Sequence, residues 1–350
     1  MSVYQVDTLV IGAGQAGLSI AYFLKKYQHN FIIIDQGDEI GEVWRKRYDS
    51  LILFTPRWYS SLPGLPLEGD AEGCATKDEI SDYLKKYVET FNLPVHLRTN
   101  VHLLKKTPTG FVAETSQGTF ISKKVIIATG PFQKPFFPVH LSESLPGDVL
   151  QLHSSHYSNS NQLKNGNVLI VGAGNSGAQI AVELANEREV WISSGHSLKY
   201  MPVRLFGKSI FWWFRKAGIL KASIDSVFGQ ALYRRPDPIF GQDLKLLIND
   251  GKVRMKPRAI KVVDGEIEFE DQSCLKFNNI IWATGFYSDY SWLDIPEALN
   301  EKGKPIHDRG ISSVANLFFL GLPWQYRRGS ALIGGVGEDA KYVMDYISRN

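Results

Sequence analysis

Two glycine-rich stretches carry the most legible chemistry in this chain. Leu9-Val-Ile-Gly12-Ala-Gly14-Gln15-Ala-Gly17 and Val168-Leu-Ile-Val-Gly172-Ala-Gly174-Asn175-Ser176-Gly177 both read G-x-G-x-x-G between an apolar run and a helical segment. The first glycine of each set permits a tight turn, the second lets a pyrophosphate approach the backbone, and the third lets helix pack on strand. The helix N-terminus behind the turn favours phosphate. One such motif is a weak signal, because glycine turns also arise by chance. Its repetition in the same strand–turn–helix setting points to two dinucleotides held face to face.

Other residues fall at the spacings such sites need. Asp35 ends the run Phe31-Ile-Ile-Ile about 20 residues past the first glycines, where a carboxylate accepts from the adenosine ribose hydroxyls. A strand that merely stops at an aspartate is the plainer alternative. Between Gly41 and Tyr59, Trp44, Phe54, Trp58 and Tyr59 alternate with Arg45, Arg47 and Arg57. Flat rings beside guanidinium groups suit a cofactor pocket, and equally suit an ordinary aromatic core. After the second motif the run Glu189-Val-Trp-Ile192 ends in Ser193, Ser194 and His196, with neither an acid to favour NADH nor an arginine to favour the NADPH phosphate. Weak nicotinamide selectivity is therefore expected. Lys199 and Arg204 follow nearby, as phosphate ligands or as solvated surface charges.

The elements that must position these residues alternate strand and helix. Uniformly apolar strands at 7–11, 31–34, 125–128, 168–171 and 280–283 imply parallel sheets buried on both faces. Helices are expected over 15–28 and 79–91, a strand over 95–101, and a final helix after Gly337. Two strands end in the same tripeptide, Ala128-Thr129-Gly130 and Ala283-Thr284-Gly285. The expected fold class is α/β, with two Rossmann-like dinucleotide-binding domains. Residues 1–160 and 285–350 would form the first, and 161–284 an inserted second. The aromatic segment from Phe206 to Pro238 could form a lid, a dimer face or plain core.

The bulk properties narrow the classes further. A chain of 350 residues with 44% hydrophobic and 21% charged residues suits two globular domains. Its net charge of +3 is too small to imply nucleic acid or an anionic membrane as partner. No apolar run is long enough to span a bilayer and none resembles a signal peptide. Cys74 and Cys274 are isolated, without a C-x-x-C pair, which suits a reducing cytoplasm and argues against a dithiol reductase. No metal site is expected: His153 and His156 lack neighbouring carboxylate or thiolate partners.

With these motifs in view, the chain resembles the two-dinucleotide-binding-domain flavoproteins, and within them the class B flavin monooxygenases. The resemblance implies FAD on Gly12, Gly14, Gln15, Gly17, Asp35 and Gln36, with Trp44, Arg45, Val101, Ala128, Thr129 and Gly130 around it. Gly321, Ser330, Ala331 and Leu332 would close that site. It places NAD(P)H, whether NADPH or NADH, on Gly172, Gly174, Asn175, Ser176, Gly177, Ser193, Ser194, His196, Arg204, Ala283, Thr284 and Gly285. Trp44, Thr55, His153 and Tyr157 would lie near the flavin. The family's F-x-G-x-x-x-H-x-x-x-[FYW] signature is approximated by Leu145-Pro-Gly147 and His153-Ser-Ser-His-Tyr157. Three departures stand out: Leu145 replaces the aromatic and the glycine–histidine spacing is two residues longer, Thr55-Pro56 stands where animal-type enzymes carry asparagine, and His196 replaces the phosphate-gripping arginine.

What the resemblance implies is a monooxygenase that uses NAD(P)H and O2, through a C4a-hydroperoxyflavin, to oxygenate small sulfides, amines or ketones. No side-chain nucleophile is needed, since the flavin does the chemistry. The alternatives are a reductase that passes electrons on without oxygen insertion, and a flavin-binding redox sensor. Partners are then a small-molecule substrate and O2, with a homodimer as one arrangement.

Overall fold

Five apolar strands lie side by side in the first of two α/β units. Val3–Ile11 pairs in parallel with Phe31–Ile34 on one flank and Gly118–Ile127 on the other. Val95–His96 extends the sheet past the former and Leu317–Phe319 past the latter, both in parallel. The period-2 alternation of strands sorts the side chains between two layers. Val10, Ile33 and Ile126 face the helices Gln15–Lys26, Lys77–Phe91 and Ile333–Ile347. Leu9, Ile11, Ile32, Ile34 and Val125 face Phe111, Phe120 and Leu293. Burial on both faces explains why these runs are apolar throughout.

The second unit repeats the plan. Its sheet, in the order Leu150–His153, Asn279–Trp282, Val168–Val171, Val190–Ser193 and Val253–Lys256, is parallel throughout. In each sheet the strand bearing the glycine motif is central, the strand ending in Ala-Thr-Gly lies on one side, and the strand ending in Asp35 or Ser193 lies on the other. Leu150–His153 belongs to the second sheet. The structure describes residues 2–349 as a computed structural model.

The two passages between the units run together. Lys134–Pro135 and Phe286–Tyr287 form a short antiparallel ribbon just beyond the two Ala-Thr-Gly ends. Gln179 reinforces the junction: its Nε2 donates to the Ile52 carbonyl at 2.9 Å and its Oε1 accepts from Tyr48 Oη at 3.1 Å.

Three local expectations are settled by the structure. The helix expected from Glu79 begins at Lys77, because Thr76 and Glu79 form a reciprocal cap in which Thr76 Oγ1 accepts from Glu79 N and Glu79 Oε2 from Thr76 N. The strand expected over 95–101 is instead two, Val95–His96 and Val101–Thr107, interrupted where Arg98 takes φ +54°. The aromatic segment after Phe206 is mostly not core. Ile210 and Phe211 are buried, but Phe206, Val227, Phe228 and Tyr233 are largely exposed on and around two short helices.

Candidate dinucleotide-binding sites

At the head of each motif a strand-end carbonyl meets the first glycine. Gly12 has φ +108°, and a Cβ there would lie 2.5 Å from the Ala128 oxygen; Gly172 has φ +102°, and its Cβ would lie 2.4 Å from the Ala283 oxygen. The third glycines are equally constrained, since a Cβ on Gly17 or Gly177 would strike the carbonyl of Gly12 or Gly172 at 1.8 or 2.1 Å. The middle glycines differ. Around Gly14 and Gly174 an added Cβ would meet nothing within 4 Å, so the protein itself imposes no reason for glycine there. Open space over that residue is what a closely approaching phosphate requires.

Both helices that follow start at these open glycines without a side-chain cap. Their first N–H groups are thus left for something other than protein side chains. Over the first lies a cleft of about 690 Å³. Its lining includes Gly12, Gly14, Gln15, Asp35, Gln36, Trp44, Val101, Ala128, Thr129, Gly130 and Gly321. Asp35 is held firmly: Oδ2 accepts from Ala13 N at 2.6 Å and Oδ1 from Gly37 N at 2.7 Å. A carboxylate has about four lone-pair sites, so capacity for ribose hydroxyls remains. Gly17 lies beneath the Gly12 carbonyl rather than in the lining. Ser330 Oγ accepts from Tyr326 N and Arg327 N, while the Ala331 carbonyl accepts from Gln15 Nε2 at 3.5 Å, so this loop and the adjoining Leu332 reach the first helix from the C-terminal side.

Several sequence-picked residues lie elsewhere. Arg45 is not in the cleft lining; it faces Asp78 at 3.3 Å, Asp82 and Glu39. Three carboxylates on one flank draw the guanidinium away. Thr55 is buried, with Oγ1 2.7 Å from Ser60 Oγ. Tyr157 is fully buried, and its hydroxyl donates to Glu183 Oε1 at 2.8 Å; burial pushes that phenol well above its ordinary range. His153 is also fully buried. Ser155 N–H donates to its Nδ1 at 3.1 Å, which puts the ring proton on Nε2, 2.9 Å from the Gly285 oxygen. Burial lowers its pKa to about 4. His153 and Tyr157 are struts of the second unit, and of the four expected flavin-proximal residues only Trp44 lines the cleft.

In the second site, Asn175 Oδ1 accepts from Phe240 N and its Nδ2 donates to the Pro238 carbonyl, fixing the far end of the aromatic segment against the motif helix. Tyr48 reaches the motif helix from the first unit, its Oη donating to Gln179 Oε1 at 3.1 Å. Thr284 Oγ1 donates to the Phe136 carbonyl beside the ribbon. Ser194 Oγ donates to the His196 carbonyl at 2.8 Å. Arg204 does not stand at the strand end; its Nη2 donates to the Glu72 carbonyl at 3.1 Å and lies 3.4 Å from Asp70, both in the first unit.

Two further cations lie here: Arg47, which sequence reasoning placed only among the arginines of a general aromatic pocket, and Arg258, which it missed. The Arg47 guanidinium lies 5.5 Å from the Phe286 ring centroid, just past Gly285, and burial lowers its pKa. No carboxylate pairs with it among the described residues. Arg258 lies against Gly195 at the end of the Val190–Ser193 strand. This arginine comes from the loop after Lys256, which local spacing could not reveal.

This doubled architecture matches the pyridine nucleotide-disulphide oxidoreductase family over residues 9–199. The chain belongs to that family. It is 56% identical to an uncharacterized oxidoreductase CzcO-like of Geobacillus kaustophilus, covering 98% of each chain. It is 50% identical to an uncharacterized oxidoreductase CzcO of Bacillus subtilis, covering 98% of this chain and 99% of that one. Among solved structures it is similar to a flavin-containing monooxygenase from Stenotrophomonas maltophilia, with a TM-score of 0.82, 26% identity and 99% of both chains covered. The chain is therefore an NAD(P)H-dependent flavoprotein oxidoreductase, with a fold similar to that of a flavin-containing monooxygenase. The disulphide chemistry in the family's description has no dithiol here: the two cysteines of the sequence, Cys74 and Cys274, are unpaired. Among the described residues no helix is long and apolar enough to cross a membrane.

Proposed function

We propose that this chain is an FAD-dependent monooxygenase that uses NAD(P)H and O2 to oxygenate small soft nucleophiles such as sulfides and amines, or small ketones. One observation carries the reading: two uncapped helices begin at glycines whose surroundings are open, one in each of two parallel sheets joined through a paired ribbon. FAD would occupy the cleft over Gly14 and NAD(P)H the site over Gly174; when bound, FAD supplies hydride acceptance and O2 activation. FAD would belong to residues 1–160 and 285–350 and NAD(P)H to 161–284, with Leu150–His153 joining the second set.

The chain's own contribution is binding, orientation and exclusion of water. Asp35 would accept from the ribose of FAD, and Trp44 would pack beside the ring system. Arg47 would meet an anionic group of NAD(P)H from across the junction, since a guanidinium without a carboxylate partner favours a phosphate. The aromatic segment closes over the first unit through Phe211 and Phe240, whose ring centroids lie 6.2 and 4.3 Å from that of Phe54. Isolated thiols suit a cytoplasmic location.

A second reading, a reductase that passes electrons to a quinone or a protein without oxygen transfer, draws on polar side chains already engaged. Thr55, His153 and Tyr157 all bond within the protein, which leaves none of them to govern protons in the cleft. The deciding experiment supplies 18O2 and NADPH with a panel of sulfides, amines and ketones. Label in the product supports oxygenation. NADPH consumption with label only in peroxide or water overturns it in favour of the reductase.

A further inference from the structure

The end of the Val190–Ser193 strand corresponds by topology to the end of Phe31–Ile34, where Asp35 stands. In this architecture that position faces the adenosine ribose of a dinucleotide. It carries Ser194, Gly195 and His196, no acid among them. A cation arrives from another part of the chain. A Cβ on Gly195 would lie 2.4 Å from Arg258 Nη2 and 2.7 Å from its Cζ. Gly195 lies outside the left-handed region, so its backbone admits any residue, and the Arg258 side chain is what excludes one.

The loop that bears Arg258 is firmly seated. Ser193 Oγ, itself buried, donates to the Pro257 carbonyl at 2.8 Å and accepts from Ala259 N at 3.1 Å. Ser194 N–H donates to the Lys256 carbonyl at 3.0 Å. Lys256 is itself paired with Asp271 at 3.0 Å. Arg258 has one acidic partner, Glu270, at 3.3 Å, with side chains 62% and 50% exposed. Such a pair holds weakly and is readily exchanged for a dianion. Ser194 Oγ and His196 Nδ1, 3.1 Å apart, come from the two residues that flank Gly195 in the chain.

We propose that Arg258, with Ser194 and His196, reads the 2′-phosphate of NADPH and makes this chain NADPH-selective. The proposal rests on the reading of the second site as the NAD(P)H site, and it replaces the weak selectivity expected from local sequence. Arg258 is a specificity residue; it touches no reacting atom.

The experiment compares flavin reduction by NADPH and NADH in the FAD-loaded wild type, Arg258→Ala, Arg258→Lys and Gly195→Val. It also measures the affinity of each protein for 2′,5′-ADP and 5′-AMP. The wild type should favour NADPH by about 10- to 100-fold in kcat/KM, the range of a charge-assisted contact. Arg258→Ala should remove that preference and weaken 2′,5′-ADP binding by a similar factor, leaving NADH and 5′-AMP within about twofold. Arg258→Lys should keep part of it, as a point charge without the fork. Gly195→Val should copy Arg258→Ala by displacing the guanidinium. Equal use of both cofactors by the wild type, or an equal loss for both in Arg258→Ala, overturns the assignment while leaving the site intact. Reduction by neither cofactor overturns the NAD(P)H reading itself.

Discussion

The His153 Nε2–H and the Gly285 carbonyl are joined at 2.9 Å, which ties the first strand of the second sheet to the residue that opens the ribbon between units. Ser155 N–H and the Gly285 carbonyl fix the tautomer, while burial keeps the ring neutral against the opposing pull of that carbonyl. Above pH 6.5 the imidazole is neutral in the folded and unfolded chains alike. Between that value and its folded pKa of about 4, the unfolded chain takes up a proton that the folded one refuses. Stability is therefore full above 6.5, falls as pH drops through that window, and has lost roughly 3 kcal/mol from this group at the lower end. Urea midpoints between pH 7.5 and 4.5 should show the slope, and His153→Asn should flatten it. A slope unchanged by His153→Asn would remove His153 as its source.

The motif glycines should separate binding from folding. Gly14→Leu has room within the protein, so its thermal midpoint without cofactor should match the wild type, while FAD retention should be abolished. Gly17→Ala forces a methyl to within 1.8 Å of the Gly12 oxygen and should destabilise the fold itself by more than about 2 kcal/mol. The ratio of flavin absorbance to protein absorbance, read beside circular-dichroism melts, checks both. Colourless protein that no added FAD can reconstitute would count against the first site.

Arg47→Met should raise KM for NADH and NADPH alike, by about tenfold, with FAD content unaltered. Equal sensitivity is the signature of a group shared by the two nucleotides, and it distinguishes Arg47 from Arg258. Steady-state kinetics with both cofactors, at low and high salt, measure it; the effect should shrink as salt rises.

Under the C-terminal helix, Asp339 is fully buried and its carboxylate faces Arg309 Nε at 3.6 Å, with burial raising the Asp339 pKa. The Arg309 guanidinium is sandwiched 3.8 and 4.1 Å from the ring centroids of Tyr326 and Tyr342. Arg309→Met strands the carboxylate and should cost about 3–5 kcal/mol at pH 8, less at pH 5 where Asp339 protonates more readily. The double variant Arg309→Met with Asp339→Leu should recover most of the loss. Chemical denaturation of the three proteins gives the comparison.

Much of the fold could be read from the sequence because backbone geometry demanded it. Gly12 and Gly172 need left-handed backbone beneath a carbonyl, and the doubly buried strands need unbroken apolar runs, so both leave local marks. Asp35 was legible for the same reason, sitting a fixed distance past its turn. The failures share another cause. Arg45 looked well placed beside Trp44, but Asp78 and Asp82 of a distant helix claim it, together with the nearby Glu39. Thr55 and Tyr157 were placed near the flavin by the family resemblance alone, and no spacing rule connects them to their actual partners Ser60 and Glu183. Arg258 was overlooked because it reaches Gly195 across a strand pairing rather than along the chain.

The ribbon of Lys134–Pro135 with Phe286–Tyr287 brings the entry and the exit of the second unit to adjacent positions. A segment whose two ends lie side by side can be lifted out and its neighbours rejoined by a few residues, or opened at a distant loop to create new termini. The gene for such a protein is thus modular at two codon positions: a foreign nucleotide-binding cassette with similarly close ends could be spliced in there. Exchange of electron donors between related enzymes would then need recombination at two points, with no redesign of the first sheet.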